Sequence, residues 1–196
     1  MKTDGSDWTP PPEKSEIENL FDSLLFYRQV ASISVERLRI IKELERLLPE
    51  NQTKFSEYLS EIIGLYENEC ELVMDVDADE PSPVPEELEG LYYDKNTTYA
   101  QYLYSIRITI IDCLIYIRSL WNNNQVEKTT AKLKEIHSKD SSMIFNAKKR
   151  IEKDFSILKN LTMKVIEDSS DNKKNEALKK SLNEMRDDFI KNGIEV

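Results

Sequence analysis

A run of apolar residues between positions 99 and 121 constrains the fold of this chain more than any other feature of its sequence. Seven of them alternate spacings of four and three, which places them along one face of an α-helix: Tyr99, Leu103, Ile106, Ile110, Cys113, Ile117 and Leu120. A second row on a neighbouring face has spacings of 4, 3 and 4 and consists of Tyr104, Ile108, Ile111 and Ile115. A helix with two apolar rows needs packing partners on two sides, so the sequence predicts a helix inside a bundle.

The composition of the whole chain also favours helices. Only 4 of the 196 residues are glycine and 33% are charged, which suits long helices better than sheets with tight turns. No Asn-Gly or Asp-Gly pair lies between alternating apolar runs, as a two-residue β-hairpin would require. We therefore predict an all-α protein of five or six helices, arranged as an antiparallel helical bundle with coiled-coil segments.

Breaks in the apolar pattern predict the domain organisation. The predicted order is a disordered tail (1–14), an N-terminal helical hairpin (15–74), an acidic proline-rich linker (75–90), a C-terminal helical and coiled-coil segment (91–192) and a short tail (193–196). Ser15 and Glu18 form a capping-box pattern at the start of the hairpin. Three prolines at positions 81, 83 and 85 exclude regular structure in the linker.

Three details of the hairpin have alternative interpretations. The apolar register blurs at Ser32-Ile33-Ser34, where either one helix continues with a shifted face or two helices meet. Pro49 either ends this segment or lies in the first turn of the next helix. Gly64 lies inside a predicted helix, where glycine costs about 1 kcal/mol relative to alanine, and it indicates a close helix contact.

A third apolar seam lies in the C-terminal segment. Its members alternate spacings of three and four: Ile144, Ala147, Ile151, Asp154, Leu158, Leu161 and Val165. We call this row the 144–165 seam. One of its core positions is occupied by Asp154, and the neighbouring Phe155 can rotate towards that position. Either Asp154 fixes the pairing register at a cost in stability, or it lies at the edge of the seam.

The charge of the chain is unevenly distributed. The net charge is −10, but residues 1–94 carry −15 and residues 95–196 carry +5. This asymmetry favours contact between the two halves, or between each half and an oppositely charged partner. The acidic total argues against direct nucleic-acid binding, which needs a basic surface.

The sequence predicts neither secretion nor insertion in a membrane. The N-terminus is polar and proline-rich and does not resemble a signal peptide. The most apolar stretch carries Arg107, Asp112 and Arg118, which argues against a membrane span. We expect a protein of the nucleus or the cytoplasm.

The residues needed for common catalytic or metal sites are scarce. The single histidine, His137, neighbours Ser138 on a predicted helix, where adjacent side chains point about 100° apart and form no nucleophile–base pair. Two cysteines, Cys70 and Cys113, are too few and too far from His137 for a typical zinc site. The four glycines are scattered and form no phosphate-binding loop. We therefore predict no enzymatic activity, no metal and no cofactor.

Two sets of residues are candidates for binding other proteins. Tyrosines cluster before and at the start of the central helix, and aromatic residues with polar tips are enriched in protein interfaces; the candidates are Tyr92, Tyr93, Tyr99 and Tyr102. The other set lies in the 144–165 seam, where a partner helix would pack on Ile144, Ile151, Leu158 and Val165. The nearby basic run Lys148-Lys149-Arg150 is either a nuclear-localisation fragment, a phosphate contact or the solvated side of this helix.

These patterns lead to two hypotheses for function. The first is a non-enzymatic scaffold subunit of a multiprotein complex, whose partners are other helical subunits and whose 144–165 seam is completed by one of them. The second is a self-contained helical adaptor that binds a peptide or a small ligand in a groove lined by the tyrosines between Tyr92 and Tyr104.

A stretch within the C-terminal third of the chain resembles a known family. The stretch Ser156-Ile-Leu-Lys-Asn-Leu-Thr-Met-Lys-Val-Ile-Glu-Asp-Ser, a polar gap and Ala177-Leu-Lys-Lys-Ser-Leu182 together resemble the C-terminal end of the centromere protein H family. The resemblance covers about thirty residues, and the gap lacks the tryptophan usual in that family. It implies a nuclear, hetero-oligomeric coiled-coil subunit of the inner kinetochore, which joins centromeric chromatin to outer kinetochore proteins.

Overall fold

Five helices run through the residues that the structure describes. This computed structural model describes residues 13–74, 99–191, 193, 194 and 196, and their side chains except at positions 50, 72–74 and 99–102. The helices are α1 (Glu16–Glu50), α2 (Gln52–Met74), α3 (Tyr99–Asn122), α4 (Val126–Asp168) and α5 (Asn172–Lys191). No strand occurs in the described ranges, and the predicted all-α helical bundle is confirmed. Most of the predicted tail 1–14 and all of the predicted linker 75–90 lie outside the described residues.

The first helix begins at the capping box predicted from its sequence and ends one residue after Pro49, which therefore does not lie in the first turn of the next helix. The Ser15 hydroxyl accepts a hydrogen bond from the Glu18 amide at 3.3 Å, and the Glu18 carboxylate accepts one from the Ser15 amide at 2.7 Å. The helix continues without a break through residues 32–34 and includes Pro49 in its last turn. A single residue, Asn51, connects α1 to α2. Its amide donates to the Leu47 carbonyl at the end of α1, and its side chain accepts a hydrogen bond from the Lys54 amide at the start of α2.

Helices α3 and α5 both end in one type of C-terminal cap, which differs from that of α1. Asn124, after α3, and Gly193, after α5, both have positive φ, at 56° and 71°. In each case the next residue donates its amide five residues back, Gln125 to Leu120 and Ile194 to Phe189. This is the Schellman arrangement, which favours glycine or asparagine in the left-handed position.

Specific contacts give the direction of each helix. Tyr66 donates to Glu36, and together with the one-residue connection this makes α1 and α2 antiparallel. Two contacts make α2 and α3 antiparallel: Arg107 with Glu69, and Phe55 with Trp121. Two more do the same for α1 and α4: Arg37 with Asp140, and Ser23 with Asp154. Helices α2 and α4 therefore run in the same direction, and none of their described Cα atoms lie within 8 Å of each other, which places the two helices at opposite corners.

The buried apolar side chains form two separate clusters. The four-helix core combines residues from α1 to α4: Ile40, Ile41, Leu44, Leu47, Leu48, Phe55, Leu59, Ile62, Ile63, Tyr66, Cys70, Ile110, Ile111, Leu114, Ile117, Leu133 and Ile136. The three-helix core combines α1, α4 and α5 with the residues after α5: Phe21, Leu24, Ile151, Phe155, Leu158, Ile166, Leu178, Phe189 and Ile194. Helices α1 and α4 are thus shared by both cores, and the segments predicted as 15–74 and 91–192 both contribute to each of them.

The blurred register at residues 32–34 has a structural cause. Before it, α1 buries Phe21 and Leu24 in the three-helix core; after it, α1 buries Ile40, Ile41 and Leu44 in the four-helix core. One continuous helix thus changes its buried face where its neighbours change from α5 to α2 and α3. Of the two interpretations of Ser32–Ser34, the single helix with a shifted face is correct.

The central helix α3 is less symmetric than its sequence predicts. Ile110 and Ile117 of the first predicted row are fully buried, as is Leu114, which belongs to neither row. In the second row Ile111 is buried, but Ile108 and Ile115 are more than one-third exposed. The prediction of two buried rows is corrected accordingly, because α3 packs on the bundle with one broad face and turns the side of Ile108 and Ile115 outwards.

Candidate interaction surfaces

The contact between α1 and α4 contains the most deeply buried charges of the described residues. Asp140 has no exposed surface and receives two hydrogen bonds from Arg37, at 2.8 Å from Nε and at 2.5 Å from Nη2. The hydrogen bonds to this carboxylate raise the pKa of the Arg37 guanidinium above its ordinary value. A buried bidentate pair of this kind is satisfied only in one register of the two helices.

A second carboxylate lies on the same face of α4, fourteen residues further on. Asp154 is 2% exposed, and its Oδ2 accepts hydrogen bonds from Ser23 of α1 at 2.8 Å and from Arg150 at 3.1 Å. Asp154 is therefore a buried residue of the seam and not an edge position. Of the two interpretations of its place in the 144–165 seam, the structure supports the one in which it fixes register.

The 144–165 seam is covered by the chain itself. Ile151 and Leu158 are buried in the three-helix core against Phe21 and Leu24 of α1. Ile144 is half-buried, and only Val165, at the far end, is exposed. The predicted role of Ile151 and Leu158 in binding another chain is therefore corrected: the helix that completes this seam is α1, with α5 beside it.

The predicted tyrosine surface cannot be placed in the same way. Tyr92 and Tyr93 lie outside the described residues, as do the side chains of Tyr99 and Tyr102. Tyr104 is described, and it packs half-buried against the four-helix core. The one strongly exposed tyrosine among the described side chains is Tyr116 of α3, with Lys132 of α4 located 5.6 Å from the centre of its ring.

The basic run at 148–150 is used within the bundle. Lys148 donates a hydrogen bond to the carbonyl of Gly193 at 2.6 Å, and Arg150 contacts both Asp154 and the ring of Tyr27. Lys149 lies over the ring of Phe145, 4.4 Å from its centre. Phe145 and Phe26 are the most exposed large apolar side chains of the described residues, at 58% each.

Two outward faces carry charges that are mostly of one sign; the exceptions are the exposed Lys54 on α2 and the exposed Glu152 and Glu167 on α4. On α2, Glu57, Glu61, Glu67 and Glu71 are exposed, and none forms an ion pair with a described residue. We call this row the acidic face. On α4, Lys149, Lys153, Lys159 and Lys164 are exposed and likewise form no ion pair within the described ranges; we call this row the basic face. The acidic face belongs to the part of the bundle around the four-helix core, and the basic face to the part around the three-helix core.

The thiols and the remaining titratable groups show no reactive arrangement in the described part of the chain. Burial raises the pKa of the Cys113 thiol to about 11 and also raises that of Cys70, so both favour the less reactive thiol form. His137 Nδ1 lies 2.5 Å from the Glu45 carboxylate, in a contact between α4 and α1. Among the described residues no group of three or more histidine, cysteine or acidic side chains is placed to hold a metal ion. No described helix is both long and apolar enough to span a membrane.

Sequence reasoning missed Asp140 and Arg37, although a signal for Asp140 was present. Asp140, Ala147 and Asp154 follow one another at intervals of seven residues, so Asp140 extends the 144–165 seam by one heptad. Its charge favoured a solvated position. Arg37 carries no comparable signal, because the pattern of one helix does not tell which other helix lies opposite.

Comparison of the chain with protein-family models, with curated protein sequences and with solved structures finds no match.

Proposed function

We propose that this protein is a non-enzymatic helical scaffold subunit of a multiprotein complex, whose partners are helical proteins that dock on its outer faces. The observation that carries the proposal is the use of its buried charges. Arg37, Asp140 and Asp154 make their hydrogen bonds within the bundle, where they hold α1 against α4. A bundle held in one register presents surface side chains at fixed positions, which is what a scaffold requires.

Exposed aromatic residues are the candidate anchors for such partners. Phe26 on α1 and Phe145 on α4 expose more than half of their surface, although aromatic side chains are usually buried. Aromatic residues, phenylalanine among them, are enriched at the cores of protein–protein interfaces. Because the 144–165 seam is filled by α1, the proposal assigns partner binding to these outer faces.

The cellular setting in this proposal comes from sequence resemblance. The likeness of residues 156–182 to the centromere protein H family supports a nuclear subunit of the inner kinetochore. The alternative, an adaptor with a tyrosine-lined groove, depends on Tyr92, Tyr93 and the side chains of Tyr99 and Tyr102, which lie outside the described residues.

Co-purification with a matched control variant tests the proposal. The tagged chain is expressed at its native level, and the proteins bound to it are quantified by mass spectrometry. We expect one or more helical proteins in near-stoichiometric amount, and their loss from the double variant Phe26→Asp/Phe145→Asp. Ile190→Asp, at an exposed apolar residue of α5, is the control and should retain them. All three chains should melt at the same temperature within a few degrees.

Two outcomes would contradict the proposal. If the wild-type chain is recovered alone from cross-linked native extract, it is not a complex subunit. If the control loses the same proteins as the double variant, the two phenylalanines are not the anchors.

A further inference from the structure

We propose that a second copy of this chain occupies the basic face of α4, docking on it with the acidic face of its α2, and that copies add head to tail in this way. The inference concerns the chain's own copies and does not rest on the proposed scaffold function. Its starting point is Gly64, which the bundle itself does not explain.

By helical spacing Gly64 falls in the middle of the acidic face of α2, where it is half-buried among the exposed glutamates. A Cβ atom built on Gly64 meets no atom within 4 Å, so no close contact inside the bundle requires a glycine there. Glycine in the interior of a helix is nevertheless unfavourable relative to alanine. A residue without a side chain on an outer face allows another helix to approach closely.

The spacing of the two charged faces is the same. Glu57, Glu61 and Glu67 of α2 are separated by 4 and 6 residues, and so are Lys149, Lys153 and Lys159 of α4. When the two rows are aligned in parallel, Gly64 is level with Ser156, which is small and exposed. Glu71 is then level with Met163, next to Lys164.

The order of these residues gives two helices a small–small contact at the centre and Glu and Lys rows on either side, with the exposed Glu152 of α4 level with the uncharged Ser60 of α2. Close-packed helix pairs in which small residues permit approach and flanking charges select the partner follow this pattern. The charges on both faces lack ion-pair partners among the described residues, so the contact would break no existing pair.

One molecule cannot make this contact with itself. The acidic face lies level with the C-terminal half of α1, because Tyr66 contacts Glu36, and the basic face lies level with the N-terminal half, because Asp154 contacts Ser23. From the paired levels, the two faces are displaced by about 25 Å along the bundle. They also lie on helices at opposite corners of the bundle.

A second copy meets these conditions without being turned. Helices α2 and α4 run in the same direction, so moving a copy sideways by one bundle width and along the axis by about 25 Å brings its α2 alongside α4 of the first in parallel. Each added copy again leaves one acidic face and one basic face free. Such a heterologous contact continues into an open assembly and does not close into a two-fold dimer.

The net charge of −10 opposes association, but its range is short in salt. At an ionic strength of about 0.15 M the Debye length is about 8 Å, so facing Glu–Lys pairs outweigh more distant repulsion. At 1 M salt, where the Debye length is about 3 Å, the pairs are screened as well.

Sedimentation velocity on the purified full chain tests the inference. At about 0.15 M salt we expect the mean mass to rise with concentration towards the millimolar range and to pass that of a dimer, and to fall at 1 M salt. A chain that remains monomeric up to about 1 mM overturns the proposal, and so does a dimer that does not grow.

Charge reversal then identifies the faces. The variants Glu57→Lys/Glu61→Lys/Glu67→Lys and Lys149→Glu/Lys153→Glu/Lys159→Glu should each associate at least about tenfold more weakly than the wild type, because each brings like charges together. An equimolar mixture of the two should associate again, because each then meets an opposite charge. Failure of the mixture to recover overturns the assignment of these faces.

A matched control makes the same change in net charge at another place on the surface. Lys173→Glu/Lys174→Glu/Lys180→Glu alters three exposed lysines of α5 and should associate as the wild type does. If it loses association equally, net charge and not the basic face is responsible. If a chain that stays monomeric binds anionic vesicles or an acidic helical peptide through Lys149, Lys153 and Lys159, the occupant of the basic face is not a second copy.

Gly64→Leu separates association from folding. The open space at Gly64 and the better helix propensity of leucine should raise the melting temperature by about 2–4 °C. The same side chain should weaken association at least about tenfold, since it holds the two helices apart. Association at wild-type strength in this variant contradicts the predicted contact.

Discussion

The two cores of the bundle differ in what they bury. The four-helix core consists of seventeen buried residues, all apolar apart from the tyrosine hydroxyl and the cysteine thiol, whereas the three-helix core has nine. Of the buried polar residues in the described part of the chain, Ser34, Thr129 and Asp140 lie on α1 and the first part of α4, whereas four lie on the second part of α4 and on α5, which form the smaller core: Asp154, Thr162, Asn175 and Ser181. Two of their atoms, Asn175 Oδ1 and Ser181 Oγ, find no hydrogen-bond partner among the described residues.

This difference separates stability from specificity within one bundle. Burial of apolar area supplies most of the free energy of folding, so the four-helix core should be the last part of the chain to open. Buried polar groups contribute less to stability and more to a unique alignment of helices. The Arg37–Asp140 pair lies between the cores, where it fixes the register of the two helices that they share.

The largest effect is expected from breaking that pair on one side. Asp140→Ala leaves the Arg37 guanidinium without its partner in a largely buried position, and we expect it to lower the free energy of unfolding by about 3–5 kcal/mol. Chemical denaturation of the purified chain measures this. Replacing both residues, as Arg37→Met/Asp140→Leu, should recover most of the loss, since no buried charge remains. A double variant no more stable than Asp140→Ala would show that the pair contributes more than mutual neutralisation.

A cavity in the four-helix core should destabilise more of the chain than a cavity in the three-helix core. Leu114→Ala in the four-helix core and Leu178→Ala in α5 remove the same atoms, and each should cost about 2–5 kcal/mol at its site. In hydrogen exchange, Leu114→Ala should reduce the protection of amides in all helices. Leu178→Ala should affect only α5 and the adjoining parts of α1 and α4. Equal loss of protection throughout the chain in both variants would mean that the two cores unfold as one unit.

A smaller and opposite effect is expected at Ser181. Its hydroxyl is buried without a partner, so Ser181→Ala removes an unsatisfied group and adds a better helix former. We expect a gain of about 1 kcal/mol, seen as a rise of about 2–4 °C in the melting temperature. Ser156→Ala, at an exposed position of α4, controls for helix propensity alone. A fall in melting temperature at Ser181→Ala would indicate that the hydroxyl has a partner in solution.

The last effect appears only in alkali, where Cys113 titrates. Burial raises the pKa of this thiol from about 9 to about 11 in the folded chain. The folded state therefore favours the protonated form, and the stability that this contributes is complete below the pKa of the unfolded chain and is lost as the pH rises through about 11. Denaturation midpoints between pH 8 and 11 should fall less steeply in Cys113→Ala than in the wild type. Identical slopes would show that the thiol titrates alike in both states.

Much of the fold follows from local sequence, because caps and apolar spacing act within a few residues. Ser15 marks the start of α1 in the sequence and in the structure, and α3 and α5 end in caps at Asn124 and Gly193, residue types that favour the left-handed position of a helix cap. The pairing of helices does not follow, since Arg37 and Asp140 are 103 residues apart and any heptad seam is compatible with any other. For this reason the sequence predicts a partner helix on Ile151 and Leu158, although α1 of the same chain covers them.

Which apolar side chains are exposed does not follow from the sequence either, for a different reason. A row such as Ile108, Ile111 and Ile115 is apolar whether or not a neighbour covers it, and here only Ile111 is buried. The charged faces can be predicted from the sequence, because residues of mostly one sign recur at helical spacing. Their displacement along the bundle depends on the α1–α4 register, and that register is set by side chains far apart in sequence.

The sharing of α1 and α4 by both cores also has a consequence for synthesis on the ribosome. Helix α1 is complete at residue 50, but the last residue of α4 is added 118 residues later. At about 5–20 residues per second the apolar side chains of α1 wait roughly 6–24 s for their principal neighbour. During this interval α2 can cover Ile40, Ile41 and Leu44, whereas Phe21 and Leu24 have no nearby segment to fold against. The amino-terminal half of α1 is therefore the part of the nascent chain that we expect molecular chaperones to hold.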